Sequence, residues 1–309
     1  MKTILGFLVT LMLALPLAAA AQPEELSPSD TEAVASGLGI NVPLVARLIG
    51  AGSTLYRSSV DVANNSTLSA QVDFYLDGID IATSAPISKA GSVSSSGALV
   101  AQGTGGLMRS KSNAHYDDFI DALLTAGLLP PNIENDGFIG SVLFVFNGLS
   151  KSGQAEAKVR FFSDYQGGTI GQALRGHEIT GAEPQSLVAS LRDSRGKAGP
   201  QLYANLFINN TGLTPSGAPA SGAVGVKVQA YANSSGLPVG TPLNTNIGLG
   251  QTVGVNDVLH TLAVPASEDT ILVFITVTSG NAAIAGVQAQ VDQTTRDGSV
   301  MDIGRADGD

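Results

Sequence analysis

The strongest constraint on the fold of this chain is a set of strand-like patterns that occurs twice in the same order. In "SSVDVANNS", which begins at Ser58, apolar residues alternate with polar or small ones before two asparagines, and "LYANLFINN", which begins at Leu202, shows the same alternation. A period of two residues is that of a half-buried β-strand, whereas a helix would need apolar residues three and four apart. Aligning the asparagines pairs the following positions: Val60 with Leu206, Val62 with Ile208, and Asn64 with Asn210.

Four further elements follow each of these strands in the same order. The first copy continues with "AQVDFYLDG", "YDDFIDALLTAG", "IGSVLFVFN" and the hairpin "AEAKVRFFSDYQGGTIGQ". The second continues with "VGVKVQAYANSSG", "VNDVLHTLAVP", "TILVFITVTSG" and "AAIAGVQAQVDQTTRDGSV", which aligns Asp118 with Asp257. In "YDDFIDALLTAG" the spacing is helical, because Phe119 and Leu123 share one face and Gly127 can end the helix. Five elements in one order indicate an internal duplication.

The duplication predicts an all-β protein made of two tandem immunoglobulin-like antiparallel β-sandwich domains after a signal peptide. Each half has room for about six to eight short strands at the spacing typical of sandwiches. The 37 glycines and the 14% share of charged residues suit turns and strands better than helices. We predict these segments: a signal peptide at 1–21, an N-terminal segment at 22–41, a first domain at 42–181 with a Ser/Gly-rich insertion at 84–113, a linker at 182–198, and a second domain at 199–309. Because the linker is largely polar, we expect the halves to fold independently.

The first residues predict export. Lys2 precedes an apolar run from Ile4 to Leu17, and the alanines that end at Ala21 match a signal-peptidase site. This run is shorter than the roughly 20 residues that a membrane-spanning helix needs. We therefore expect a mature chain that begins at Gln22, has no membrane span, and is secreted, periplasmic or located at the cell surface.

Composition and charge exclude several classes of function. The chain has no cysteine, which excludes disulfides, thiolate metal sites and a cysteine nucleophile. Its formal charge of −10 repels the phosphates of nucleic acids, so we expect no nucleic-acid partner.

The stretch "VPLVARLIGAGSTLYRSSVDVANNS" resembles tandem immunoglobulin-like β-sandwich repeats of secreted and surface proteins of environmental bacteria. The closing hairpin "GGTIGQALRG" also fits this pattern, whereas the second copy departs from it with Leu202 in place of the aromatic residue and Tyr203 in place of the arginine. The resemblance covers most of the mature chain and implies a fold, and it carries over no catalytic or ligand residue. The residues that match the first repeat are Val42, Pro43, Gly50, Gly52, Tyr56, Arg57, Ser58 and Asn64.

Catalytic and metal-binding motifs do not stand out in the sequence. The histidines His115, His177 and His260 are far apart, and the chain has neither an HExxH motif nor a GxSxG motif. We therefore predict no catalytic residue and no enzymatic activity.

Acidic turns are the candidate calcium ligands, since extracellular β-domains often bind this ion with loop carboxylates. The alternative is that Asp followed by Gly only forms a hairpin turn, which is the more frequent use of this pair. No other cofactor is predicted. The candidate residues are Asp77, Asp80, Asp292, Asp297 and Asp302.

Tyr56 and Arg57 are the candidate ligand-binding residues, because an aromatic ring beside a cation can stack on a sugar. The alternative is an aromatic residue at a sheet edge that packs beneath its arginine. Glycosylation sequons also occur at four asparagines, which we interpret as turn residues: Asn64, Asn65, Asn209 and Asn233.

The sequence thus predicts an exported, non-enzymatic structural or interaction protein, of the adhesion or scaffold type, at or beyond the cell envelope. Its expected partner is a protein or glycan of the envelope. Two alternatives remain open: a carbohydrate-binding module and a hydrolase with an unrecognised site.

Overall fold

The computed structural model describes residues 37–49, 54–165, 168–179, 183–192, 202–268, 270–292 and 298–306. Strands dominate this part of the chain, the sheets are antiparallel, and the helices are short, so the predicted all-β class is confirmed. The predicted signal peptide lies outside the described residues, as do Gly50, Gly52 and Asp297.

The first half of the fold consists of strands β1 to β11 and two helices, of which α1 lies between β7 and β8 and is followed by α2. Their bounds are β1 Gly37–Ile49, β2 Leu55–Asn64, β3 Ala70–Asp80, β4 Pro86–Val93, β5 Leu99–Ala101, β6 Leu107–Met108, β7 Ser112–Tyr116, α1 Phe119–Thr125, α2 Ile133–Asp136, β8 Phe138–Asn147, β9 Ala155–Tyr165, β10 Gly168–Arg175 and β11 His177–Glu178.

The second half consists of strands β12 to β20 and the single-turn helix α3. Their bounds are β12 Ser186–Arg192, β13 Leu202–Asn210, β14 Val224–Ala232, β15 Pro238–Ile247, β16 Thr252–Val255, α3 Val258–Thr261, β17 Thr270–Ser279, β18 Ile284–Asp292, β19 Gly298–Asp302 and β20 Gly304–Arg305.

Two layers of strands enclose the core of the first half. Sheet A has the order β1-β8-β3-β4-β5, with β11 beside β1 and β6 beside β3. Sheet B has the order β7-β2-β9-β10. The long strand β1 joins the layers, because it pairs with β8 up to Arg47 and then with β2 at Leu48 and Ile49. Its register shifts between Val42 and Val45, where a bulge lets the strand bend.

The strand order of the second half repeats that of the first. Sheet C has the order β15-β14-β17-β12-β20, and sheet D has the order β16-β13-β18-β19. When the strands of the two halves are matched by their order along the chain, equivalent strands occupy equivalent places in the sheets. The sheet order β1-β8-β3-β4 then corresponds to β12-β17-β14-β15, and β7-β2-β9-β10 corresponds to β16-β13-β18-β19. The short strand β11 lies beside β1 as β20 lies beside β12.

The alignment of the two asparagine pairs is confirmed at the level of single residues. Asn64 ends β2 and Asn210 ends β13, and both side chains are buried. Each amide donates to a loop carbonyl, Asn64 to that of Leu68 and Asn210 to that of Gly222. As the alternation predicts, the aliphatic residues before them are fully buried: Val60, Val62, Leu206 and Ile208.

The two segments that the sequence alignment pairs, with Asp118 against Asp257, each contain a short helix. Asp118 caps α1 by accepting a hydrogen bond from the N–H of Asp121, and Asp257 caps α3 in the same way from the N–H of His260. Gly127 follows α1 with a φ of 70°, a conformation that favours glycine. The short helices α2 and α3 had no helical signal in the sequence.

Three predicted segment boundaries differ from the structure. Part of the predicted linker 182–198 is the strand β12, which lies between β17 and β20 because Leu187, Ala189 and Leu191 alternate into the core. Part of the predicted insertion 84–113 is β4, which pairs with β3 along its length and corresponds to β15. The predicted N-terminal segment 22–41 overlaps β1, which starts at Gly37.

Each half has its own apolar core. Three phenylalanine rings meet in the first core, where the Phe119 ring centroid lies 6.1 Å from that of Phe74 and 6.0 Å from that of Phe144. The second core is built of aliphatic residues between sheets C and D. Two buried residues of β18, Val287 and Ala289, belong to the first core rather than to the second. The outer face of sheet D therefore packs against the first half.

Candidate functional site: a groove between the two halves

Buried polar contacts join the halves. The Asn41 side-chain amide donates to Oδ1 of Asn209 at 3.2 Å, and Nδ2 of Asn209 donates to Oγ of Ser141 at 2.9 Å. The Ser141 hydroxyl donates in turn to the carbonyl of Gly250 at 3.1 Å. Since a buried polar group left without a partner is costly, these bonds favour one relative position of the two halves. The independent folding of each half stays a prediction.

A groove of about 650 Å³ lies between the halves beside these contacts. The first half contributes residues of β1, β9, β10 and β11, and the second half contributes residues of β12, β18 and β20. Its large apolar lining residues are buried, and its charged residues belong to both halves. The large apolar residues are Ile40, Leu187, Ile284 and Ile303, and the charged or titratable residues are Glu156, Arg175, His177, Glu178 and Arg305.

Two open sheet edges border the groove. The Ile179 N–H donates to the carbonyl of Gly39, and the Ala306 N–H donates to the carbonyl of Ser186. Hydrogen-bonded and non-hydrogen-bonded positions alternate in antiparallel pairs. The main-chain N–H and C=O groups of the intervening residues, Glu178 in β11 and Arg305 in β20, therefore point away from β1 and β12. Among the described strands, none pairs with the other edge of β11 or β20.

The acidic groups in the groove are already engaged by protein donors. Oε1 of Glu156 lies 2.6 Å from the Arg175 guanidinium, and Oε2 lies 3.3 Å from the Lys158 ammonium. Glu178 accepts hydrogen bonds from the hydroxyl of Ser152 and the N–H of Gly153, both at 3.2 Å.

The two guanidinium groups of the groove differ in their pairing. The Arg175 side chain is 74% exposed but pairs with Glu156. Arg305 is exposed, and within the described part of the chain it forms no ion pair. The Arg305 guanidinium is thus available to a ligand that carries a carboxylate.

The three histidines lie in different places, as their spacing suggested. His177 lines the groove, and its Nε2 lies 2.6 Å from the buried carboxylate of Glu183. His115 lies on β7, and His260 lies on α3. Within the described ranges, no cluster of three or more histidine and acidic residues could hold a metal ion.

The half-exposed ring of His115 lies between two carboxylates. Its Nδ1 lies 2.7 Å from Oδ1 of Asp61, and its Nε2 lies 3.0 Å from Oδ1 of Asp117. The hydrogen bond to Asp61, followed by that to Asp117, raises the pKa of His115 above its usual value. This arrangement stabilises a surface imidazolium.

The predicted ligand pair Tyr56 and Arg57 has structural partners. The Tyr56 ring stacks on Phe161 at a centroid distance of 5.5 Å. Arg57 lies 4.9 Å above the Phe162 ring, and its Nη2 lies 2.5 Å from Oδ2 of Asp164. The arginine therefore packs on Phe162 and not on the neighbouring tyrosine, because adjacent strand residues point to opposite faces.

Two of the predicted calcium ligands, Asp77 and Asp80, have described side chains, and their surroundings differ. Asp80 accepts hydrogen bonds from the N–H groups of Ala82 and Thr83, as a turn aspartate does. Asp77 lies on β3 beside Gly250, while Asp292 ends β18 and Asp302 ends β19. The turn interpretation fits Asp80, and the described residues form no calcium site from this set.

The sequon asparagines differ in exposure. Asn65 and Asn233 are exposed, whereas Asn64 and Asn209 are buried. Asn209 lies inside β13, so its interpretation as a turn residue is wrong; its side chain forms the contact between the halves. No signal in the sequence pointed to this role or to the groove.

A scan against models of known protein families finds no match, and a search of curated proteins finds none of significance. Within the residues described, no helix combines the length and the apolar character needed to cross a bilayer.

Proposed function

We propose that this chain is an exported, non-enzymatic structural or interaction protein that acts at or beyond the cell envelope, and that it consists of two tandem immunoglobulin-like β-sandwich domains. The observation that carries the proposal is the repeated strand order, β1-β8-β3-β4 over β7-β2-β9-β10, which the second half reproduces. Duplicated sheets of this kind form rigid frames on which loops and edges bind partners.

The bonding of the polar side chains supports a binding role over a catalytic one. In the described part of the chain, no histidine ring bonds to a serine or threonine hydroxyl, which is the contact that activates a hydroxyl nucleophile. His177 bonds instead to Glu183, at the join between the halves. The groove offers the exposed guanidinium group of Arg305 and two open strand edges, which are features of a binding surface.

Three assays on the purified chain from Gln22 onward separate the proposal from its two alternatives. An interaction protein should co-sediment with a cell-envelope preparation and lose this binding when the envelope is pretreated with protease. A carbohydrate-binding module should deplete onto insoluble glycans, and a hydrolase should turn over a panel of esters and glycosides. Turnover that persists through purification, or depletion onto glycan alone, would replace the proposal with the corresponding alternative.

A further inference from the structure

We propose that the groove binds an extended acidic peptide of a partner protein, which pairs with the open edge of β20 and places a carboxylate at the Arg305 guanidinium. This inference rests on the proposed function, since it names the class of partner that the interaction protein would take at this site.

The first support is the main-chain geometry of β20. Arg305 directs its N–H and C=O groups away from β12, and no described strand satisfies them. An extended peptide can add to such an edge by antiparallel or parallel pairing. Glu178 offers the same open geometry on β11, so both walls of the groove can pair with a main chain.

The second support is charge complementarity. The Glu156 carboxylate pairs with Arg175, whereas Arg305 is exposed and has no ion pair among the described residues. A guanidinium group binds a carboxylate through two parallel N–H donors, which is a directional contact. The Arg305 guanidinium thus favours a ligand with a carboxylate even though the chain as a whole has a formal charge of −10.

The third support is the size of the groove. Side chains of an extended peptide alternate between its two faces, so one face can enter the groove while the other carries the carboxylate. The volume of about 650 Å³ lies within the usual range of ligand sites.

A peptide explains these features better than an acidic glycan does. A glycan could supply the carboxylate, but it has no main-chain amides to pair with the edges of β11 and β20. None of the described residues that line the groove is a tyrosine, phenylalanine or tryptophan, the side chains on which sugar rings usually stack.

The test measures binding of a fluorescein-labelled ten-residue peptide, in which valine alternates with threonine and aspartate, by fluorescence polarisation. We expect Arg305→Glu to weaken binding by about tenfold or more, because it places a carboxylate opposite that of the peptide. We expect Gly304→Leu to weaken binding by a similar factor, since the nearest atom to an added Cβ lies 3.8 Å away and the protein can accept the side chain. The matched control is Lys89→Glu, the same change of charge on an exposed residue of β4 outside the groove, which should bind as the parent does.

Two control peptides test the two recognition elements separately. Replacing aspartate with lysine should abolish binding, and methylating the main-chain nitrogens of the acidic peptide should weaken it by about tenfold or more because the pairing donors are lost. Equal binding of acidic and basic peptides, or an affinity unaffected by Arg305→Glu, would overturn the inference. Binding of a uronic-acid oligosaccharide with the same dependence on Arg305 would also overturn it, because the groove would then belong to a glycan. Peptide binding seen only after residues 22–36 are removed would overturn it as well, because the groove would then belong to this chain's own segment.

Failure of this test can be distinguished from failure of the proposed function. If Arg305→Glu and the parent chain co-sediment equally with the envelope preparation while neither binds the peptide, the interaction role stands and the groove assignment falls.

Discussion

Replacing Asn209 with alanine should destabilise the protein and loosen the contact between its halves. The side chain is 1% exposed, accepts from the Asn41 amide and donates to Ser141 and to the carbonyl of Gly250. In the variant, the carbonyl of Gly250 still accepts a hydrogen bond from the hydroxyl of Ser141. The Asn41 amide, which is 3% exposed, loses its acceptor. One buried donor without a partner costs about 1–3 kcal/mol, and the lost bonds of Asn209 add about 1 kcal/mol. We therefore expect the free energy of unfolding to fall by about 2–4 kcal/mol, measured by urea denaturation.

The matched control is Asn233→Ala, which removes an exposed asparagine and should change stability by less than about 0.5 kcal/mol. A double-mutant cycle with Asn41→Ala should give a coupling energy above about 0.5 kcal/mol, because the two amides share one hydrogen bond. If Asn209→Ala behaves like the control, or if the cycle shows no coupling, the account of a fixed contact between the halves is wrong.

Three further predictions concern the core, a surface histidine and export. Leu206→Ala should cost about 2–5 kcal/mol by denaturation, as for other buried leucines, and a cost below about 1 kcal/mol would contradict its place in the core. The raised pKa of His115 predicts stability that is complete below about pH 6.5 and is lost as the pH rises through the folded-state pKa. The effect should stay below about 1 kcal/mol because the pair with Asp61 is half-exposed. In His115→Gln the melting temperature should therefore depend less on pH between about pH 5 and 8 than in the parent. The same pH dependence in both proteins would refute this reasoning. N-terminal sequencing of the exported protein should begin near Gln22, and an intact Met1 would exclude the predicted signal peptide.

Local patterns explain why much of the fold could be predicted. Val60 and Leu206 are buried because strand side chains alternate between faces, and such a period is visible in any short window. Asp118 and Asp257 were likewise aligned from the sequence, although their role as helix caps was not predicted. β12 escaped prediction because "SLVASLR" contains small and polar residues, so its alternation has meaning only beside its two pairing strands and the core.

The groove could not be predicted because its parts are distant in the chain. Asn41 and Asn209 are separated by 168 positions, and their hydrogen bond depends on how two whole sheets are placed. Arg305 becomes a candidate for binding a peptide only because the outer edge of β20 is open beside the first half. Neither fact leaves a local signal. The same limit applies to Arg57, whose partners Phe162 and Asp164 belong to another strand.

The distance across the groove tests most directly the claim that the two halves hold a fixed binding site between them. The chain has no cysteine, so Asn65→Cys and Gly304→Cys together give only two sites for spin labels, one exposed residue on each side of the groove. Pulsed dipolar spectroscopy should give a single narrow distance distribution in the free protein. A broad distribution, or several populations in the free protein, would contradict the account.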